Sequence, residues 1–384
     1  MRVLLATPYS PTVRHDHAAA DLASPLVRHL SAEVELFVYS PQQRAATAVG
    51  GEGVEYLGGD APGWGRSRHL SRRPSWVRRE WTPAATAEVL EHVARLRPQV
   101  LHCEYLQAAE AVLAMAVPSV VALHDCSGDV QRRLLAQASG PRRLYRWAEA
   151  VRTERLESQV LAAASVVIAL SCRDANRFQL RTRRVVVTRP GVTVPPGDWC
   201  PASNAASNVL FFGALWRSAN ITIADFLVRH VLPQVWAQRP DVTLCLAGAR
   251  PAAEVHRLAA LDPRIRLHGY ADDLDGLVGQ SSLVLAPNLV GGGVQLKLLR
   301  TLALGCPLVT SPEAADAIGA RDGIHLLIGR DAAALAGQVL RLLADPALAA
   351  RLGAGGRELV RQNFDWRRTA ADYLGAYRQA VAGG

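Results

Sequence analysis

The chain has 384 residues, 43 basic against 34 acidic side chains, and a formal net charge of +9. At 49% hydrophobic and 20% charged it is too apolar for intrinsic disorder, and its length exceeds one ordinary core, so two domains are expected. No apolar run reaches the ~18 residues of a membrane-spanning helix, and the first apolar run meets Thr7-Pro8-Tyr9 too soon for a signal peptide; the scattered Cys103, Cys126, Cys172, Cys200, Cys245 and Cys306 form no CxxC or CxxH pair. The expectation is buried free thiols in a cytoplasmic protein with no zinc site.

In the first half, short apolar runs alternate with helical patterns. Strands are expected over 2–6, 34–39, 98–102, 117–124, 165–170 and 185–188, and helices over 18–30, 86–96 and 142–163. Apolar strands separated by helices imply a parallel sheet covered on both faces. The loop after the first strand contains His15, Asp16 and His17 and no GxGxxG, which disfavours a nicotinamide dehydrogenase. His102 and Glu104 end one strand, and His124 and Asp125 end the next. Open α/β sheets bind ligands at the carboxyl ends of their strands, so these four residues are candidate contacts, although an interior histidine satisfied by its neighbours would read the same way.

Residues 1–190 hold 25 basic and 18 acidic side chains; residues 191–384 hold 18 and 16. Part of the excess lies in the stretch bounded by Arg66 and Arg79, which holds Trp76 and is flanked by Trp64 and Trp81. Aromatics among arginines suit an anionic membrane interface or nucleic-acid stacking, and equally a surface loop whose indoles pack down.

Between 190 and 208 the alternation breaks in a run rich in Pro, Gly and Ser, the best candidate for a linker. It then restarts with strands over 208–212, 243–247, 283–286 and 308–310 and helices over 223–238, 294–304, 332–343 and 346–363. A last helix over 366–381 follows the second domain and could pack back on the first. The fold class expected is α/β, with two doubly wound Rossmann-like domains (1–190 and 208–365) facing across a cleft, joined by linker 191–207 and closed by a helix in 366–384.

The sharpest local feature is Gly291, Gly292 and Gly293 between a strand and a helix, followed by Lys297 and Arg300. Glycines at a helix start let backbone N–H groups approach an anion, and the helix N-terminus favours negative charge. Positions 293, 297 and 300 share a helix face, so both cations point the same way, as a diphosphate site requires. Lys297 is the one lysine in the chain; every other basic residue is arginine. An ordinary helix start with two snorkelling cations is the plainer alternative. No Walker motif is present, and no metal is expected.

From here the sequence resembles the retaining, nucleotide-sugar-dependent glycosyltransferases of the two-Rossmann GT-B fold, family 4 (group 1) type. The resemblance is carried by Val209 to Leu215 with Trp216 and Asn220, by Leu246-Ala247-Gly248, by His268 to Leu274, and most specifically by Gly291 to Lys297 with Ala303 to Val309. Arg351 to Trp366, Ala122 to Asp125, Ser165 to Ser171 and Arg189 to Val192 extend it. It implies a donor diphosphate held by Gly291, Gly292, Gly293 and Lys297. The base would lie near His268 and Tyr270, the loop holding Gly213 and Ala214 would close over the phosphates, and Gly248 would stand beside it. His124 would reach the donor sugar or phosphate, so His124, Lys297 and Arg300 are the expected catalytic residues. Catalysis would be leaving-group stabilisation, with no metal or other cofactor.

Four positions depart from the family pattern. Arg300 stands where the family has a glutamate that accepts bonds from the donor ribose, and arginine cannot accept a hydrogen bond. Gly292 replaces a partner glutamate, and His15 and Asp16 stand in place of a glycine pair. The resemblance therefore implies transfer of a hexosyl group, with retention, to a lipid-linked, glycan or small-metabolite acceptor, with an atypical donor site. His15, Asp16, His102, Glu104, His124 and Asp125 would be on the acceptor side. Use of an unusual donor, a non-catalytic scaffold and a nucleic-acid glycosyltransferase are the other readings. The expected location is cytoplasmic, with peripheral contact at an anionic inner membrane face through the 66–79 stretch.

Overall fold

The computed structural model describes residues 1–12, 19–42, 53–58, 72–182, 184–196, 207–289 and 293–383, with backbone alone for 19–21. His15, Asp16, Gly291, Gly292, Trp64, Arg66 and Arg68 lie outside the described residues.

Two parallel sheets organise the chain. The first has seven strands in the order β3-β2-β1-β4-β5-β6-β7: β1 (Arg2–Ala6), β2 (Glu35–Ser40), β3 (Val54–Gly58), β4 (Val100–Glu104), β5 (Ser119–Leu123), β6 (Val166–Ala169) and β7 (Val185–Val187). The second has six strands in the order β10-β9-β8-β11-β12-β13: β8 (Asn208–Phe212), β9 (Thr243–Ala247), β10 (Ile265–Gly269), β11 (Leu283–Leu285), β12 (Leu308–Thr310) and β13 (Leu327–Ile328). Central strands are buried along their whole length, which is why they read as unbroken apolar runs. Each order reverses once, between β1 and β4 and between β8 and β11, and ligands of open α/β sheets bind outside the carboxyl ends at such switch points.

The chain divides into two compact units. One is built from the first strand, Ala19–Gly191 and Trp366–Gly384; the other from Val192–Asp365. The last helix, Trp366–Ala382, belongs to the first unit and lies on β4, β5 and β6. Its buried positions are Trp366, Thr369, Ala370, Tyr373, Leu374, Ala376, Tyr377 and Ala380, a stripe at helical spacing.

Three edge strands escaped the sequence reading. β10 has only Ile265 fully buried and otherwise alternates with polar side chains, β13 has two residues, and β3 carries a glutamate and ends on glycine. The helix expected over 223–238 runs Ser218–Phe226, a π turn Leu227–Val231, then Leu232–Trp236. Pro233 has no N–H for the carbonyl of residue 229 and crowds it, so the ladder widens just before the proline. Among the tryptophans of the arginine-rich stretch, Trp81 is fully buried and donates its indole N–H to Thr86 Oγ1 at 3.0 Å. The Trp76 indole donates to Thr153 Oγ1 at 3.1 Å, and Arg73 pairs with Glu110. These indoles pack down onto the unit that carries them. Among the described residues, no single helix is long and apolar enough to cross a membrane.

Candidate functional site

In the second unit, the loops after β8, β9 and β10 are pressed together by glycine. Gly248 has φ +153°, and a Cβ there would fall 1.7 Å from the Gly213 carbonyl oxygen. Gly213 has φ +156°, and its Cβ would meet Asn220 Nδ2 at 2.9 Å. The Gly248 N–H donates to the Gly269 carbonyl at 2.6 Å. Ala214 is buried, and its carbonyl accepts from Asn220 Nδ2 at 3.0 Å. His268 and Tyr270 stand exposed at the end of β10.

The helix Leu296–Ala303 begins after Gly293, whose φ of +71° sets the turn. Lys297 Nζ donates to Asn220 Oδ1 at 3.0 Å and sits 4.6 Å from the centroid of the Phe211 ring. Burial, and next the nearby Arg217 guanidinium, push the Lys297 ammonium down to about 7. Among the described residues, neither Lys297 nor Arg217 has a carboxylate within ion-pair distance. An amine held from water beside a second cation, with no counter-charge among the described residues, is a costly arrangement that an arriving anion relieves.

Arg300 shares the helix but finds a different partner. Its Nε donates to Asp275 Oδ1, on the helix Leu274–Gly279, at 2.6 Å. The common helix face expected for the two cations therefore resolves into two separate attachments: Lys297 to the loop after β8, Arg300 to Asp275. Neither Asn220 as the lysine's anchor nor Asp275 was singled out by the sequence. Two more polar groups of this unit, Trp216 Nε1 and Gln295 Oε1, are buried without a hydrogen-bond partner, and Arg250 lies 5.1 Å from the Trp216 ring centroid.

In the first unit, the carboxyl ends of β4 and β5 carry a buried network. Glu104 Oε2 and His124 Nε2 are 2.6 Å apart, and the Tyr373 hydroxyl donates to Glu104 Oε1 at 3.0 Å. His102 Nε2 lies 3.0 Å from the same Oε1 but is poorly aligned for a full hydrogen bond, and its Nδ1 is 2.7 Å from the Tyr377 hydroxyl. Burial alone would raise the Glu104 carboxyl; the adjacent His102 and His124 imidazoles override it and hold the group well below the usual carboxylate range. Both tyrosines are pushed up by burial first, so they remain donors.

His124 also stacks on Tyr105, with centroids 3.8 Å apart, and Tyr105 has φ +67°. A bulky residue in the left-handed region is uncommon and is held there by its surroundings. The expected pairing of His102 with the ligand-facing set is corrected here: His102 has no exposed surface and sits behind Glu104, against the last helix. Asp125 accepts from Ser127 Oγ at 2.8 Å, where the helix Ser127–Ala136 starts, so its role here is local. Tyr105, Tyr373 and Tyr377 carried no signal in the sequence, because their partners lie on other elements.

Residues 206–345 match the family described as Glycosyl transferases group 1. The chain is 28% identical over 260 residues to the D-inositol 3-phosphate glycosyltransferase of Salinispora tropica, covering 59% of this chain and 53% of the relative. It is 32% identical over 158 residues to the phosphatidyl-myo-inositol mannosyltransferase of Mycobacterium leprae, covering 40% of this chain and 42% of the relative. The chain thus spans about half the length of these curated relatives. Among solved structures, sucrose-phosphate synthase from Thermosynechococcus elongatus superposes with a TM-score of 0.78 at 18% identity over 100% of both chains, a likeness of fold.

Proposed function

We propose, for a chain that carries a group 1 glycosyl transferase domain in a GT-B fold, that it transfers a hexosyl group from a nucleotide-diphosphate sugar to a lipid-linked, glycan or small-metabolite acceptor with retention. The observation that carries this reading is the Lys297 ammonium beside Arg217, without a counter-charge among the described residues. A leaving nucleoside diphosphate supplies that missing negative charge, and its charge grows as the glycosidic bond breaks. Fixed cations and amides that meet developing charge in a site shielded from water are worth more than in solution. In this reading the second unit holds the donor, with Gly213, Gly248 and Gly293 giving the backbone its close approach, and no metal is required.

The first unit supplies the acceptor side, with His124 fixed by Glu104. Free, mostly buried thiols at Cys103, Cys126, Cys172, Cys245 and Cys306 support a reducing, cytoplasmic location. The test is thermal-shift screening against UDP, GDP, ADP and their sugars, followed by nucleotide-release assays with the sugar that stabilises most. Stabilisation by one nucleotide family and turnover with its sugar are expected; no stabilisation by any of them contradicts the reading.

A further inference from the structure

Glu104 and Tyr105 are consecutive in the chain, yet both reach the His124 imidazole. Glu104 ends β4, and its Oε2 lies 2.6 Å from His124 Nε2. Tyr105 opens the helical turn Tyr105–Ala108, and its ring stacks on the imidazole with 3.8 Å between centroids and 26° between planes. Along an extended strand, neighbouring side chains point to opposite faces and cannot share a target. The φ of +67° at Tyr105 breaks that alternation and brings the phenol round to the histidine that the carboxylate holds. A left-handed backbone is unfavourable for a tyrosine, so contacts must hold it there. Tyr9, in the loop after β1, meets the Tyr105 ring edge-on, with centroids 5.1 Å apart at 85°. The Tyr9 hydroxyl donates to Glu80 Oε2 at 2.7 Å, and Gln107 Nε2 donates to the same oxygen at 2.6 Å. Glu80 closes the helix Ser75–Glu80, so one carboxylate ties down both the loop after β1 and the turn after β4.

We propose that Tyr105 is a positioning residue for His124: it fixes the plane of the imidazole and with it the direction of Nδ1, the ring nitrogen left for a ligand. The proposal rests on the transferase reading, in which His124 serves the reaction, and adds the residue that aims it. A carboxylate only accepts hydrogen bonds, so Nε2 carries the proton of the bond to Glu104 and Nδ1 is the nitrogen that remains. One hydrogen bond fixes an edge of the ring but lets the ring turn about the axis of that bond. A face-to-face aromatic contact removes this rotation, and the Tyr9 edge keeps the tyrosine from swinging away in turn. Orientation matters to the chemistry, since misplacing a reacting group by about 1 Å can cost on the order of a hundredfold in rate. The left-handed turn therefore has a use: it lets two successive residues grip one histidine, by its edge and by its face.

The test uses the full chain with isotope-labelled histidine and follows the ring signals of His124 by NMR, assigned by their loss in His124→Ala. Nucleotide release from the sugar that stabilises the chain most, with water as the acceptor, is measured on the same samples. In the wild type the His124 ring protons should lie upfield, shielded by the Tyr105 ring. Tyr105→Leu should move them back toward their ordinary position and lower kcat about tenfold, with KM for the sugar changed by less than about twofold. Tyr105→Phe keeps the ring and should restore both readouts. Unmoved signals in Tyr105→Leu, a Tyr105→Phe that behaves like Tyr105→Leu, or a loss carried by KM with kcat unchanged would overturn the proposal. The His92 ring, 5.6 Å from the Tyr39 ring in the same unit, is the reference for folding. Where its signals move in Tyr105→Leu, Tyr9→Leu takes that variant's place: it removes the edge contact and should shift the His124 signals the same way by a smaller amount, and no shift overturns the proposal. A wild type that releases no nucleotide from any sugar sinks the transferase reading, while the ring signals still judge Tyr105.

Discussion

Asn220 is a bridge: its Oδ1 accepts from Lys297 Nζ at 3.0 Å, while its Nδ2 donates to the Ala214 carbonyl at 3.0 Å. A neutral amide thus orients the lysine without neutralising it. Asn220→Asp should give Lys297 a carboxylate of the protein's own, which competes with a ligand diphosphate and also loses the bond to Ala214. Nucleotide affinity should fall by roughly tenfold or more, about the worth of one charge-assisted hydrogen bond. Isothermal calorimetry with the best-stabilising nucleotide checks this; equal or tighter binding would contradict it.

Proton linkage follows from the lowered Lys297 ammonium. Between about pH 7 and its ordinary 10.5, the amine is largely neutral in the ligand-free chain and charged in the unfolded one. A bound diphosphate restores the charge, so binding takes up a proton in that window. Affinity should hold below about pH 7 and weaken above it, by up to about tenfold per pH unit. Calorimetry at pH 8 in two buffers of different ionisation heat should report uptake approaching one proton, and no uptake would contradict the assignment.

The glycine contacts make a stability prediction. Gly248→Ala puts a methyl group into the Gly213 carbonyl, an atom of backbone that no rotamer change can move aside. The loss should be about 2–3 kcal/mol, in the range of overpacked sites, and read as a lower melting temperature. Since the two loops must separate, nucleotide stabilisation should shrink as well.

Glu104 links the last helix to His124. Glu104→Gln should destabilise the chain by about 3 kcal/mol at pH 7, because a buried ionised acceptor of several donors is lost. Its folded-state value is lowered, so its stabilisation is present above the ordinary carboxylate value near 4.5 and is lost as pH falls below it. The gap between wild type and variant should therefore be full at neutral pH and narrow in acid, as measured by denaturant titration at several pH values. Tyr373→Phe should reproduce a part of it, about 1.5 kcal/mol.

Much of this architecture was legible in the sequence for a physical reason. Strands buried on both faces must be apolar throughout, so β1, β5, β6, β8 and β9 announce themselves; β10 and β13 at the sheet edge need not, and did not. Lys297 stood out because it is the one lysine after a glycine run, and the run itself is a local feature. Its environment was not legible. Asn220 lies 77 positions away and Asp275 lies 25 positions from Arg300, and nothing in local spacing encodes such contacts. The same holds for Tyr377 and His102, 275 positions apart, which turned an expected ligand contact into an interior support.

The most direct test of the account is the nucleotide response of Lys297→Met beside the wild type. Methionine keeps the length and much of the volume of the lysine stem and removes only the ammonium. Wild-type protein should be stabilised by its preferred nucleoside diphosphate, by about 2.7 kcal/mol at one hundred times the dissociation constant, and the variant at the same concentration should show almost none of that shift. An equal shift in both proteins would show that the diphosphate is not held at Lys297, and the donor site assigned here would be wrong.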